Sequence, residues 1–287
     1  MLHKELVRTI ASFVIALREG IEAALIVAII LGYLKKVGAD TLLRPVCAGI
    51  GLGVLASIAT AALFLALAVE FEGRYEQLFE GTAMLLAAAI LTTMILWMRN
   101  NSKAYSEDLK QKVGFALTSK QSYGLASLAF ISILREGIEI VLFLGSASFS
   151  SSGIQTLIGG GLGLGLALLI GVGIMKYSVK LDLRTFFNVT GFFLILFAAG
   201  LVARGIGEFG EAGVIAPIVQ GVWDTNGILS DQSGTGKILA ALVGYVGSPS
   251  LSQMIGYVAY WLLIVLWLYR DTTTIAFKKM LATVRPG

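Results

Sequence analysis

A chain of 287 residues, 56% hydrophobic and only 14% charged, with a mean hydropathy of +0.84, lies far from the balance of a water-soluble domain. Its sole cysteine, Cys47, excludes an intramolecular disulfide and a thiolate cluster, and its sole histidine, His3, excludes bis-histidine haem ligation and a His-rich metal cage within one chain. The formal charge of +4 comes without a basic run of the kind that binds nucleic acid, so no such partner is expected and the positive residues are read as topology signals.

Apolar runs long enough to cross a hydrocarbon core of about 30 Å recur along the chain. They predict an all-α membrane protein with seven transmembrane helices over residues 10–34, 46–69, 78–98, 124–147, 154–175, 186–206 and 254–270. The first run is too long for a signal-peptide core and lacks a small-residue cleavage site, so it is expected to remain in the mature protein. Cys47 is read as filling space in the second helix.

Alternate loops differ sharply in charge. The side holding the N-terminus has five Lys and Arg (Lys4, Arg8, Arg74, Arg204 and Lys237), and the other has fifteen, from Lys35 to Arg285. Positive residues favour the cytoplasm, which places the N-terminus outside and the C-terminus inside. The acidic residues run the other way. Glu5, Glu70, Glu72, Glu76, Glu80, Glu208, Glu211, Asp224 and Asp231 fall on the outer face, which is expected to collect cations, although any one of them also reads as an ordinary solvated loop residue.

Four further segments complete the reading. Residues 99–123 form a cytoplasmic loop, and residues 207–253 an extracytoplasmic loop. Within the latter, the apolar piece Ile238-Leu239-Ala240-Ala241-Leu242-Val243 is too short to cross and suits an interfacial or re-entrant helix. Residues 254–287 supply the seventh helix and a cytoplasmic tail. The run Gly159-Gly160-Gly161-Leu162-Gly163-Leu164-Gly165 lacks the Gly-Lys-Ser/Thr ending of a phosphate loop and predicts close helix packing through small residues.

The most informative feature is a repeat: Leu17-Arg18-Glu19-Gly20-Ile21-Glu22 in the first span and Leu134-Arg135-Glu136-Gly137-Ile138-Glu139 in the fourth. Phe79 with Thr82, opening the third span, echoes Phe187 with Thr190, opening the sixth. Residues 1–98 and 124–206 are therefore two three-helix units. Three is odd, so the units run in opposite directions and form an inverted repeat, an arrangement found in many secondary transporters. Both motifs fall about 12–22 Å into their spans, close to the bilayer centre.

On a helix the i,i+3 spacing sets Glu19 and Glu22 on one stripe, and the i,i+4 spacing lets Arg18 reach Glu22. Arg135, Glu136 and Glu139 repeat the layout, while Gly20 and Gly137 leave room for a neighbouring helix or an ion. Each ionised residue at mid-depth costs about 2.5–3.5 kcal/mol, so six impose roughly 15–20 kcal/mol before pairing. Two arginines balance two of four glutamates, and a cation or protons can balance the rest. The bland reading is a pair of internal salt bridges with the spare glutamates protonated. Carboxylate oxygens without thiolate or imidazole partners suit hard cations, among them iron, manganese, magnesium and calcium, and spacing does not choose between them.

With these two Arg-Glu-Gly-Ile-Glu motifs the chain resembles the oxidase-dependent iron permeases, the family of the fungal high-affinity iron permease and the bacterial EfeU-type permeases, in which Leu is commoner than Ile. Leu78-Phe79-Glu80-Gly81, Phe197-Ala198-Ala199-Gly200-Leu201 and Glu211-Ala212-Gly213 extend the likeness over almost the whole chain. The resemblance implies seven spans in a bacterial cytoplasmic (inner) membrane, and iron, as Fe3+ or Fe2+, as the transported substrate. It makes Glu19, Glu22, Glu136 and Glu139 the metal ligands or relay, with Arg18 and Arg135 setting the charge balance. Glu80, with Glu76, Glu72, Glu70, Glu211 and Asp224, becomes an outer cation-collecting set. An extracytoplasmic oxidase or iron-binding protein is the implied partner, with no resident cofactor and no enzyme activity. The alternatives are a transporter of another cation such as lead or manganese, an intramembrane enzyme using its glutamates as acid and base, and a subunit that anchors an oxidase.

Overall fold

The computed structural model describes residues 2–118, 122–149, 153–177, 182–215, 219–230, 233, 235–236, 239–240 and 244–284. Among them are seven helices of 25 residues or more: α1 (Leu2–Lys36), α2 (Leu43–Glu70), α3 (Arg74–Thr118), α4 (Ser122–Phe149), α5 (Gly153–Tyr177), α6 (Leu183–Glu211) and α7 (Leu251–Val284). Each predicted span lies inside one of them. Five are long and apolar enough to cross a membrane, within α2, α3, α5, α6 and α7. The remaining two, α1 and α4, are the ones whose centres carry the charged motifs.

Local chemistry sets the helix ends. At the close of α1, Gly38 takes φ +69°, and Ala39 N–H donates to Leu34 O while Gly38 N–H donates to Lys35 O, the paired bonds of a Schellman cap. Gly213, at φ +70°, does the same for α6, with Val214 N–H on Phe209 O. Lys35 and Lys36 sit in the last turn of α1, where the helix dipole favours a cation. Asp182 caps α6 by accepting from Thr185 N–H at 3.3 Å. The predicted loop 99–123 proves different: α3 runs unbroken to Thr118. Between 99 and 118 stand no proline and one glycine, Gly114, so the fall in hydropathy there is not accompanied by a helix breaker. Of the apolar piece 238–243, Leu239 and Ala240 are helical and the rest lies outside the described residues.

Helix pairing crosses between the two units. α1 packs chiefly on α5, α2 on α4, and α3 on α6. Small residues make these approaches possible. Gly159 and Gly163 of α5 lie against the backbone of α1 at Thr9 and Phe13, and Gly171 faces Ala24. Gly49 and Gly53 of α2 lie against Ala126 and Phe130 of α4, and Gly137 of α4 faces Ser57. Both pairs therefore run parallel. α3 and α6 run antiparallel, with Gly81 against Gly205 at one end and Gly191 against Ile95 at the other. The glycine run thus packs helices, as its composition predicts.

The core joins Ile15 of α1, Leu91 of α3, Phe143 of α4, Phe197 and Leu201 of α6 and Ile264 of α7. A second cluster joins Ile26, Ile30, Val46 and Leu125. Outward faces are equally apolar: Leu55 and Leu63 of α2, Leu168 and Leu169 of α5, and Leu263 and Leu266 of α7 are exposed. Such faces belong against lipid.

Candidate metal centre

The two motifs meet. Side-chain oxygens of Glu19, Glu22 and Glu136 all lie within 4.8 Å of one another, and all three residues are buried. The carboxylates come from the middles of α1 and α4, held together by direct contact between those helices. Small residues clear the space behind them: the ordinary side of Gly20 is filled by Ala167 and Leu164 of α5, and that of Gly137 by Ser57 of α2.

Arg18 is 1% exposed and bridges two carboxylates, with Nη1 donating to Glu19 Oε1 at 2.8 Å and Nη2 lying 3.1 Å from Glu22 Oε1. The i,i+4 pair is as predicted, and the stronger bond, to the adjacent Glu19, is an addition. Around the guanidinium stand groups that the sequence did not announce. Nη1 also lies 3.4 Å from Met94 Sδ, Nη2 lies 3.3 Å from Met98 Sδ, and the Phe187 ring centroid is 5.8 Å away. Phe187 is one half of the Phe/Thr echo between the repeats, which was the one signal pointing to it.

The second motif is built alike and placed differently. Arg135 Nη2 donates to Glu136 Oε1 at 2.6 Å, and Nε lies 3.5 Å from Glu139 Oε1. Its side chain is 53% exposed, against 1% for Arg18. Glu139 stands at the margin, outside the three that converge. Glu19 Oε2, Glu136 Oε2 and Glu139 Oε2 are nevertheless all buried without a hydrogen-bond donor among the described residues. A buried acceptor left so costs about 1–3 kcal/mol, and more when charged. Unbonded oxygens on carboxylates that converge, as those of Glu19 and Glu136 do, are what a cation would satisfy.

The acidic residues assigned to the outer face separate into groups. Glu76 and Glu80 of α3 neighbour Glu208 and Glu211 of α6 at one end of that helix pair, where Gln77 Nε2 donates to Glu211 Oε2 at 3.4 Å. Glu70, the last residue of α2, and Glu72, between α2 and α3, are both exposed. Asp224 accepts from Asn226 N–H at 2.9 Å in a local turn. Beside Arg18 opens a cavity of about 230 Å³, lined by Met98, Arg99, Phe187, Asn188, Trp261 and Leu268 among others.

Comparison with known proteins shows the family. The model of the iron permease FTR1 family matches residues 9–279. The ferrous iron permease EfeU of Yersinia pseudotuberculosis serotype I (strain IP32953) is 36% identical over 254 residues, 88% of this chain and 89% of that protein. The ferrous iron permease EfeU of Escherichia coli O6:K15:H31 (strain 536 / UPEC) is 34% identical over 250 residues, 86% of this chain and 91% of that protein. No solved structure matches.

Proposed function

The chain belongs to the iron permease FTR1 family and is an iron permease, an integral membrane protein and not an enzyme, and we propose that iron crosses through the buried pocket formed by Glu19, Glu22 and Glu136. The convergence of three buried carboxylates from two helices is the observation that carries this reading. Carboxylate oxygens replace part of the ion's hydration shell, and Arg18 and Arg135 keep the pocket from holding it too tightly to release, since conduction needs binding that is favourable yet escapable. Glu139, at the margin with one buried oxygen unbonded, serves as the relay toward Arg135. Iron, as Fe2+ or Fe3+, is cargo and not a resident cofactor.

The architecture proposed is seven spans, two inverted three-helix units and a final helix. The crossed pairing supports it, since α1 on α5 and α4 on α2 are the same contact related by exchange of the units, and α3 on α6 is its own counterpart. The parallel and antiparallel directions also fit strict alternation across the membrane. Charge bias sets the N-terminus outside a bacterial inner membrane. The acidic end of α3 and α6 then faces outward, where an oxidase or iron-binding protein would deliver iron. The test is uptake of radiolabelled iron into proteoliposomes carrying the purified chain. Wild type is expected to accumulate iron and Glu22→Gln to lose most of it, and unchanged uptake by the variant would remove the pocket from the path.

A further inference from the structure

The Arg18 guanidinium occupies a cage that a metal ion could fill. Each of its two terminal nitrogens touches one carboxylate oxygen and one thioether sulfur: Nη1 meets Glu19 Oε1 at 2.8 Å and Met94 Sδ at 3.4 Å, and Nη2 meets Glu22 Oε1 at 3.1 Å and Met98 Sδ at 3.3 Å. Met94 and Met98 are one helical turn apart on α3, so their side chains share a face. Methionine most often fills gaps in a core, where its sulfur meets carbon. Here both sulfurs are aimed at a buried cation, and Arg18 Nε, also buried, has no hydrogen-bond partner among the described residues.

We propose that Glu19, Glu22, Met94 and Met98 form a second iron station of two oxygens and two sulfurs, which Arg18 occupies until it moves aside and iron, still held by Glu19 and Glu22, passes from the carboxylate pocket onto the sulfurs. This rests on the permease reading above. The adjoining cavity of about 230 Å³, lined in part by Arg18 itself, gives the guanidinium room to move aside. Thioether sulfur is a soft ligand and binds magnesium, calcium, manganese and ferric iron poorly compared with borderline ferrous iron. The three-carboxylate pocket admits hard cations in general, and the sulfur pair then sorts ferrous iron from them. The corresponding positions in the second unit, counted from the Phe79 and Phe187 echo, are Val202 and Ile206, so the sulfur pair belongs to one half only.

The test is anaerobic ferrous uptake in proteoliposomes against rising manganese. Met-to-Leu changes conserve volume, so the M94L/M98L double variant keeps the packing. The manganese excess needed to halve ferrous uptake is expected to fall by about tenfold in it relative to wild type. An unchanged excess overturns the proposal. Absence of iron uptake by wild type would instead overturn the permease reading, so the two failures are distinct. A second measurement does not depend on transport. Iron-edge X-ray absorption of the Arg18→Gln protein loaded with ferrous ion alone is expected to show sulfur in the first coordination shell, and the R18Q/M94L/M98L protein none. A first shell without sulfur in Arg18→Gln overturns the proposal.

Discussion

Replacing Glu136 by Gln tests whether the pocket is shared between the two motifs. Three oxygens within 4.8 Å of one another form a triangle whose centre is at most about 2.8 Å from each corner, so small side-chain movements close it on an ion. At that distance a divalent ion and one carboxylate attract by about 12 kcal/mol at an effective permittivity of about 20, which is a ceiling. The glutamine keeps a carbonyl oxygen and releases Arg135 from a competing pair at 2.6 Å, and both offset much of the loss. Removing one charge from a buried cluster in practice costs about 2–5 kcal/mol, or about thirtyfold to several thousandfold in affinity. Glu139→Gln, at the margin and 12% exposed, is expected to cost less than about tenfold. Calorimetric titration of ferrous ion into the purified variants under reducing conditions measures both. Wild-type affinity in Glu136→Gln, or a larger loss in Glu139→Gln, would refute a pocket built on the three converging residues.

Other consequences are as direct. Arg18→Gln leaves Glu19 and Glu22 without their buried partner and is expected to destabilise the protein by about 3–5 kcal/mol, with added ferrous ion raising its thermal midpoint more than that of wild type; equal shifts would argue against a cation replacing the guanidinium. Gly163→Leu drives a side chain into α1 at Phe13 and Ala16 and is expected to cost upwards of about 1–3 kcal/mol, whereas Gly161→Leu enters open space and stays within about 0.5 kcal/mol, as thermal unfolding in detergent would show. Cys47, the sole cysteine and exposed near the start of α2, is expected to react with a membrane-impermeant thiol reagent only after the cells are permeabilised. Labelling in intact cells would reverse the proposed orientation.

The seven long helices and the meeting of the two motifs were legible because each depends on spacing along one helix or on repetition. Hydropathy reports where a chain can meet lipid, and all seven runs fall inside helices. It does not report where a helix stops, which is why residues 99–118 read as a loop and continue α3. The glycine run 159–165 marked close helix packing but could not say which glycines face a partner. Gly159 and Gly163 touch α1, while Gly161 and Gly165 meet nothing.

What the sequence left hidden lies between helices. Helical periodicity predicts that Arg18 reaches Glu22, but adjacent residues point about 100° apart, and only the flexibility of two long side chains brings Arg18 to Glu19 at 2.8 Å. Met94 and Met98, 76 and 80 residues distant, have no local signature at all. The hexapeptides Leu17 to Glu22 and Leu134 to Glu139 are identical, yet one arginine is sealed and the other half-exposed: Met94 and Met98 of α3 and Phe187 of α6 close over Arg18, whereas the Arg135 side chain stays 53% exposed. A repeated motif therefore does not imply symmetry of the site. That inequality has physical use. On the proposed path, two equal pockets would hold an ion equally well, whereas a pocket of two α1 carboxylates and one from α4, with the Arg18 guanidinium on one side, gives the ion a direction in which to leave.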